Sequence, residues 1–362
     1  MRNYTGKKVY LGIDVHKKTY AVTAICEGLV AKKDTLQADP VRLINYCQKY
    51  FPNAQIESAY ETGFCGFHLH RLLEQSGIQN KIVHAAGIEI AAGDRVKTDK
   101  KDSRKLAEHL SMGRLKGIHV PSQQRENFRA IIRARETFIN HRRRWACQIK
   151  SILFQQGLIP FDDERIVSEK WIKSLMELPL SDEIRYVIDE YSSMWLQLTI
   201  KIKALDQKIA SQAQGDGDLE MIYRSVPGIG VTSARVLANE LGDASQFHNE
   251  GQLFKYVGLT PTEYSSGEHT RQGHISRQGK PIIRKILVQA AWKAIKLDPD
   301  LQQIYERIGN RAGKKKAIVA IARRLIGRVR SCIRTGTLYS IRKEMLTNLQ
   351  SNEVNIEPSV IL

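Results

Sequence analysis

The sequence predicts an α/β domain at the N-terminus followed by an all-α remainder. Three observations carry this. Up to about residue 121, runs rich in β-branched and aromatic residues alternate with amphipathic segments. From Ser122 to Gln156 there is no Gly or Pro, and beyond it apolar residues recur at helical spacing. At 362 residues the chain also exceeds one ordinary core. The expected organisation is a domain over 1–121, a coiled-coil spacer over 122–213, a mostly helical domain over 218–340 and a polar tail over 341–362.

Within the first domain, "KKVYLGIDVHKKTYAVTAICEG" reads as two strands, Val9 to Val15 and Thr19 to Cys26, joined by a polar turn. "LVAKKDTLQA" reads as a third strand, and "DPVRLINYCQKYF" as a helix capped by Asp39 with Pro40 in its first turn. "AQIESAYETG" is a strand ending at Glu61, "FHLHRLLEQSG" a helix closed by Gly77, and "NKIVHAA" a further strand. Asp14 and Glu61 thus fall at the C-terminal ends of strands, where α/β sheets place ligands.

The segment "RVKTDKKDSRK", residues 95–105, sets two more acids, Asp99 and Asp102, three positions apart among six Lys and Arg side chains. On a helix that spacing gives one face. Taken singly, each acid is explained by a strand-end turn, a surface loop or a solvated helix start near the positive dipole end. Jointly they point elsewhere: if the strands of Asp14 and Glu61 are neighbours, four carboxylates converge, and such a group repels itself unless cations hold it. Mg²⁺ suits oxygen donors of this kind, and two ions roughly 3.5–4 Å apart would clamp both oxygens of a phosphodiester undergoing displacement. Lys97 and Lys100 would then hold the phosphate backbone beside the ions.

In the spacer, Ile131, Phe138, Trp145 and Ile152 recur every seven residues, while Arg125, Arg129, Arg133 and Arg142, Arg143 and Arg144 line the polar side. After a break at Gly157 and Pro160, Ile184, Ile188, Tyr191, Trp195, Leu198, Ile202, Leu205 and Ile209 alternate spacings of four and three. An intramolecular hairpin and a dimer seam fit this pattern equally. Beyond "QGDGD", the turn "PGIG" lies between two amphipathic helices, an arrangement like a helix-hairpin-helix element, in which the amides of Gly228 and Gly230 could meet a phosphate. The stretch from Lys255 to Leu287 is polar and Gly-rich, of loop composition, and carries Arg271 and Arg277. A final basic amphipathic helix carries Arg323, Arg324 and Arg328.

Composition limits the partners. Lys and Arg number 56 against 38 Asp and Glu, a net charge of +18, which attracts a polyanion, nucleic acid before an anionic membrane. No apolar run approaches a membrane span, and the start lacks the pattern of a signal peptide, so a cytoplasmic protein is expected. Five cysteines without a CxxC pair argue against a disulfide framework or zinc site, and His68 and His70 make only a weak ligand pair.

The blocks "GIDVHK", "YETG" and "KTDKKDSRKLAEHL", followed in order by "PGIG", "GLTP" and "SSG", resemble the DEDD transposases of insertion sequence 110 type, a family that includes Piv-like DNA invertases. The resemblance spans about 330 residues. It implies a RuvC-like, RNase H fold for the first domain, with Asp14, Glu61, Asp99 and Asp102 as catalytic metal ligands for Mg²⁺. It also implies a coiled coil joining two catalytic parts, which favours dimer contacts for the seam, and a serine nucleophile before a glycine, which falls on Ser266. Ser265 is the alternative, because the family position before the serine is often acidic. The implied activity is site-specific DNA recombination through a phosphoserine intermediate. DNA and a structured bridge RNA would be its partners, and a homo-oligomer, dimer or tetramer, its working form in the prokaryotic nucleoid. The rival expectations are a metal-dependent nuclease of junction-resolvase type, an RNA-independent invertase and a noncatalytic nucleic-acid binder.

Overall fold

The computed structural model describes residues 3–84, 99–160, 163–211, 217–266 and 269–341, the side chains of 99–101 and 264–272 excepted. The chain divides into two compact units, Met1–Pro121 and Ser122–Leu362.

The first unit is a five-stranded mixed sheet. β1 (Lys8–Val15), β2 (Thr19–Cys26) and β3 (Leu29–Gln37) form an antiparallel meander. Helix α1 (Pro40–Tyr50) then carries the chain to β4 (Gln55–Glu61), parallel to β1, and α2 (His68–Gln75) carries it to β5 (Gln79–Val83), parallel to β4. The strand order is β3-β2-β1-β4-β5. Asp39 caps α1 by accepting from the Val41 amide at 2.8 Å, and Pro40 occupies the first turn, where its missing N–H costs nothing.

Both faces of this sheet are covered. Leu11, Ile13 and Tyr60 pack under Leu43, Tyr46 and Cys47 of α1 and Leu69 and Leu73 of α2. On the opposite face, Ala59 and Val83 meet Leu106 and Leu110 of helix α3 (Asp99–Ser111). His70 is spent in the structure: its Nδ1 lies 2.8 Å from Asn80 Oδ1, while Asn80 donates to Ser58 Oγ at 2.8 Å. A weak metal-pair reading of His68 and His70 therefore gives way to an ordinary buried polar network.

The second unit opens with α4 (Gln123–Gln155), capped by Ser122, and continues through α5 (Glu169–Ser174) to α6 (Asp182–Ser211). α4 and α6 run antiparallel, since Arg135 pairs with Asp206, Arg142 with Thr199, and Ile149 and Leu153 pack with Ile188. The apolar seam of α6 is thus filled by α4 of the same chain. Ile188, Trp195, Ile202 and Ile209 are all buried there. The hairpin alternative accounts for the α6 heptads, whereas on α4 the buried apolar positions are Phe128, Ile132, Ile149 and Leu153 rather than the expected Ile131, Phe138, Trp145 and Ile152, which are half-buried. The seam gives no argument for a dimer.

The open end of this hairpin merges into an all-helical core. It is built from α7 (Gly217–Ser225), α8 (Val231–Leu241), α9 (Glu250–Val257), α10 (Pro281–Ala294), α11 (Pro299–Ala312) and α12 (Lys314–Thr335). Phe128 and Ile132 of α4 are part of that core. Between α9 and α10 stands an antiparallel ribbon, β6 (Pro261–Ser266) and β7 (His269–Ile275). The tail expected from residue 341 falls, past Ile341, outside the described residues.

Candidate active site

Parallel pairing of β1 with β4 matches Ile13 to Tyr60, so the next residues, Asp14 and Glu61, stand side by side at about 4.8 Å strand spacing. Side chains alternate along a strand. Ile13 and Tyr60 point into the α1 and α2 layer, so Asp14 and Glu61 are on the face that carries Gly12, Ala59 and α3.

Gly12 fixes how α3 meets that face. A Cβ at residue 12 would lie 2.0 Å from the Ser103 carbonyl oxygen and 2.5 Å from the Ala107 amide nitrogen. Glycine is required here by backbone contact. Beside it, Thr23 Oγ1 and Ser103 Oγ share a buried hydrogen bond of 2.9 Å, and Thr23 is the β2 partner of Gly12. Asp102 directly precedes Ser103, and Asp14 lies two residues on from Gly12, so both acids flank one docking point.

Asp14 is partly buried and its Oδ2 lies 3.0 Å from His16 Nε2. His16 and Ser103 are the residues a sequence reading passes over. His16 sits inside "GIDVHK", and the small pair Gly12 and Ser103 is visible only as two unremarkable letters. Asp99 begins α3, but its side chain and that of Lys100 are not described, and Lys97 lies outside the described residues. Among the described residues, no three His, Cys, Asp or Glu side chains are grouped tightly enough to hold a metal ion.

The second unit holds the expected serine. Ser266 pairs with His269 and Ser265 with Thr270 at the far end of the ribbon; neither serine's side chain, nor that of Arg271, is described. The root of the ribbon is closely packed. A Cβ on Gly258 would lie 2.2 Å from Gln278 O, and one on Gly279 would lie 2.1 Å from Tyr256 O. Both glycines have positive φ. Next to them Lys280 donates to Glu240, a carboxylate only 4% exposed that also faces Arg129 Nε at 3.3 Å. Burial pulls the Lys280 ammonium below its ordinary pKa, and Glu240 opposes that shift.

The remaining candidates divide by what they touch. Gly228 has φ +87°, and a Cβ there would lie 2.9 Å from Ala290 Cα, so packing on α10 already demands glycine. Gly230 caps α8 with open space around it. Arg142 donates to Thr199 at 3.2 Å and lies over Trp195, whereas Arg143 and Arg144 are exposed. Arg277 and Arg324 are exposed, and Arg323 lies 4.4 Å over the Phe254 ring. Arg328 departs from the expectation of a phosphate contact. It pairs with fully buried Asp298 at 2.8 Å, with Asp300, and with the Tyr339 hydroxyl, because a buried carboxylate needs a cation within the protein.

Comparison with known proteins places both units in one family. Residues 11–156 match the IS110-type DEDD transposase family model, and residues 221–306 match the "Transposase IS116/IS110/IS902 family" model. Similar chains include two Sinorhizobium fredii proteins bearing the name transposase. One, y4qE, is 28% identical over 302 residues, covering 79% of this chain and 72% of that one. The other, y4rJ, is 27% identical over 360 residues, covering 88% and 90%. The transposase for insertion sequence element IS1533 of Leptospira borgpetersenii is 25% identical over 353 residues, covering 94% and 99%. With matches on both units, the chain belongs to the IS110-type transposase family.

Proposed function

We propose that this transposase is a site-specific DNA recombinase in which Asp14, Glu61, Asp99 and Asp102 form one Mg²⁺-dependent site and Ser266 is the nucleophile. The observation that carries the reading is the in-register placement of Asp14 and Glu61 on the face to which Gly12 docks α3. The strand order β3-β2-β1-β4-β5, with β1 and β4 parallel, supports a RuvC-like, RNase H fold for the first unit.

The donor set fits a hard cation, since carboxylate oxygens are what Mg²⁺ takes. When bound, the ion would supply charge to the scissile phosphate. Asp14 and Glu61 would orient it from the sheet, and Asp102 from the helix. His16 Nε2, 3.0 Å from Asp14 Oδ2, would orient that carboxylate from behind. In the chemical step Ser266 Oγ forms a bond to phosphorus as a P–O bond to the DNA sugar breaks. The serine proton is passed through solvent to the leaving sugar oxygen. Strand exchange reverses these steps with a new sugar hydroxyl.

Net charge of +18 supports simultaneous contact with DNA and a structured guide RNA, and the resemblance to the family favours a site assembled in trans, with acids and serine from different copies. Mixing two inactive variants tests this: Asp14→Asn and Ser266→Ala, made at different sizes. Restored cleavage, with DNA bound covalently to the Asp14→Asn chain alone, is expected. An adduct on the Ser266→Ala chain would overturn the nucleophile assignment, and no adduct from demonstrated mixed oligomers would overturn assembly in trans.

A further inference from the structure

Where α4 passes over α6 and the segment 163–167, the second unit has a groove of about 340 Å³. Arg142, Arg143, Lys150 and Arg165 all line it, with Trp195 and Cys147. Three of the cations are held in place. Arg142 is fixed by Thr199 and lies over Trp195, which is itself buried. Lys150 Nζ donates to the Asp163 and Arg165 carbonyls at 2.9 and 2.6 Å, and Arg165 donates to Asp163 Oδ1 at 2.7 Å.

Backbone carbonyls orient an ammonium without neutralising it. Asp163 is the one carboxylate these contacts include, so four cations meet one acid, an excess of three. Such convergence costs self-repulsion unless an anion enters. Arg143, Cys147 and Lys150 lie at i, i+4 and i+7 along one face of α4. From Arg143 to Lys150 the helix rises about 10 Å, which exceeds the spacing of neighbouring phosphates along one strand.

We infer that this groove binds the phosphodiester backbone of a nucleic-acid strand, with guanidiniums of Arg142, Arg143 and Arg165 on the phosphate oxygens. The inference rests on the nucleic-acid partnership proposed above, and it places that contact on the helical hairpin of the second unit. DNA and RNA share this chemistry.

The exposed thiol of Cys147 reports on the groove directly. Maleimide labelling of the full chain, read peptide by peptide, is measured alone, with duplex DNA and with a structured RNA. Binding of each nucleic acid is followed in parallel by filter retention. At least one of the two should slow Cys147 labelling tenfold or more and so identify the source. Arg143→Glu, at an exposed position, should weaken binding of that nucleic acid about tenfold. It should also lower the slope of log affinity on log salt by about one.

Retention of nucleic acid with unchanged Cys147 labelling and unchanged Arg143→Glu affinity would overturn the groove while leaving the transposase reading intact. Absence of binding to both DNA and RNA would overturn both. Protection of Cys147 that rises with protein concentration alone, without nucleic acid, would overturn the inference in favour of an interface between copies.

Discussion

Gly12 and Ser103 touch backbone to backbone, closely enough that a Cβ on residue 12 would lie 2.0 Å from the Ser103 carbonyl oxygen. This contact joins the strand that carries Asp14 to the helix that carries Asp102. It separates a packing requirement from a chemical one, because residue 12 bears no reactive group.

Gly12→Ala should therefore force α3 off the sheet. Overpacking of this kind costs about 1–3 kcal/mol, which thermal unfolding will show as a loss of several degrees for the first unit. Cleavage should be lost as well, although every acid remains. Full activity in a stably folded Gly12→Ala protein would mean that α3 docking does not set the acid geometry.

Asp102→Asn makes the converse separation. If Asp102 shares the proposed acid site, removing its carboxylate relieves repulsion there, so stability should stay equal or rise while Mg²⁺-dependent cleavage disappears. Unfolding curves and a DNA cleavage assay on the same preparation decide it. Normal recombination by this variant would remove Asp102 from the site.

Much of the first unit is legible because its signals are local. The β-branched runs, Asp39 before Pro40 and Glu61 at a strand end each act within a few residues. What is not legible is long-range. Nothing near Gly12 announces Ser103, ninety-one positions later, and nothing near Arg328 announces buried Asp298, thirty positions earlier. The α6 heptads specify a seam but not its partner, since an apolar stripe is satisfied equally by α4 or by another chain. The polar composition around Ser266 reads as loop, yet it forms β6 and β7. Their hydrogen bonds are backbone-made, and their root is set by Gly258 and Gly279 at sites far from the strands' own side chains.

The charge network at that root gives a stability prediction. Glu240 serves both Lys280 and Arg129, so Glu240→Gln leaves two cations facing each other in a buried place, at about 3–5 kcal/mol. Lys280→Met should cost less, because Arg129 still meets the carboxylate. Urea unfolding of the two variants measures the order, and a larger loss for Lys280→Met would contradict the shared-acceptor arrangement.

Alkaline pH should weaken the first unit. Burial pushes the Cys47 thiol up to about 12, and burial also raises the Tyr46 and Tyr60 hydroxyls, with Asp34 adding to the shift at Tyr46. The folded state therefore keeps protons that the unfolded chain releases. Stability from Cys47 is fully present below about pH 8.5 and is lost as pH rises toward 12. Cys47→Ala should flatten the decline between about pH 9 and the tyrosine range near 10. An unchanged pH profile in that variant would show that Cys47 is not the titrating group.

The most direct test of the whole account is the chemical identity of the DNA-linked residue. Wild-type protein incubated with DNA, RNA and Mg²⁺, then quenched and digested, should yield a nucleotide joined through phosphate to Ser266, and Asp14→Asn alone should yield none. Cleaved DNA with no protein-linked nucleotide, or a nucleotide on another residue, would contradict it.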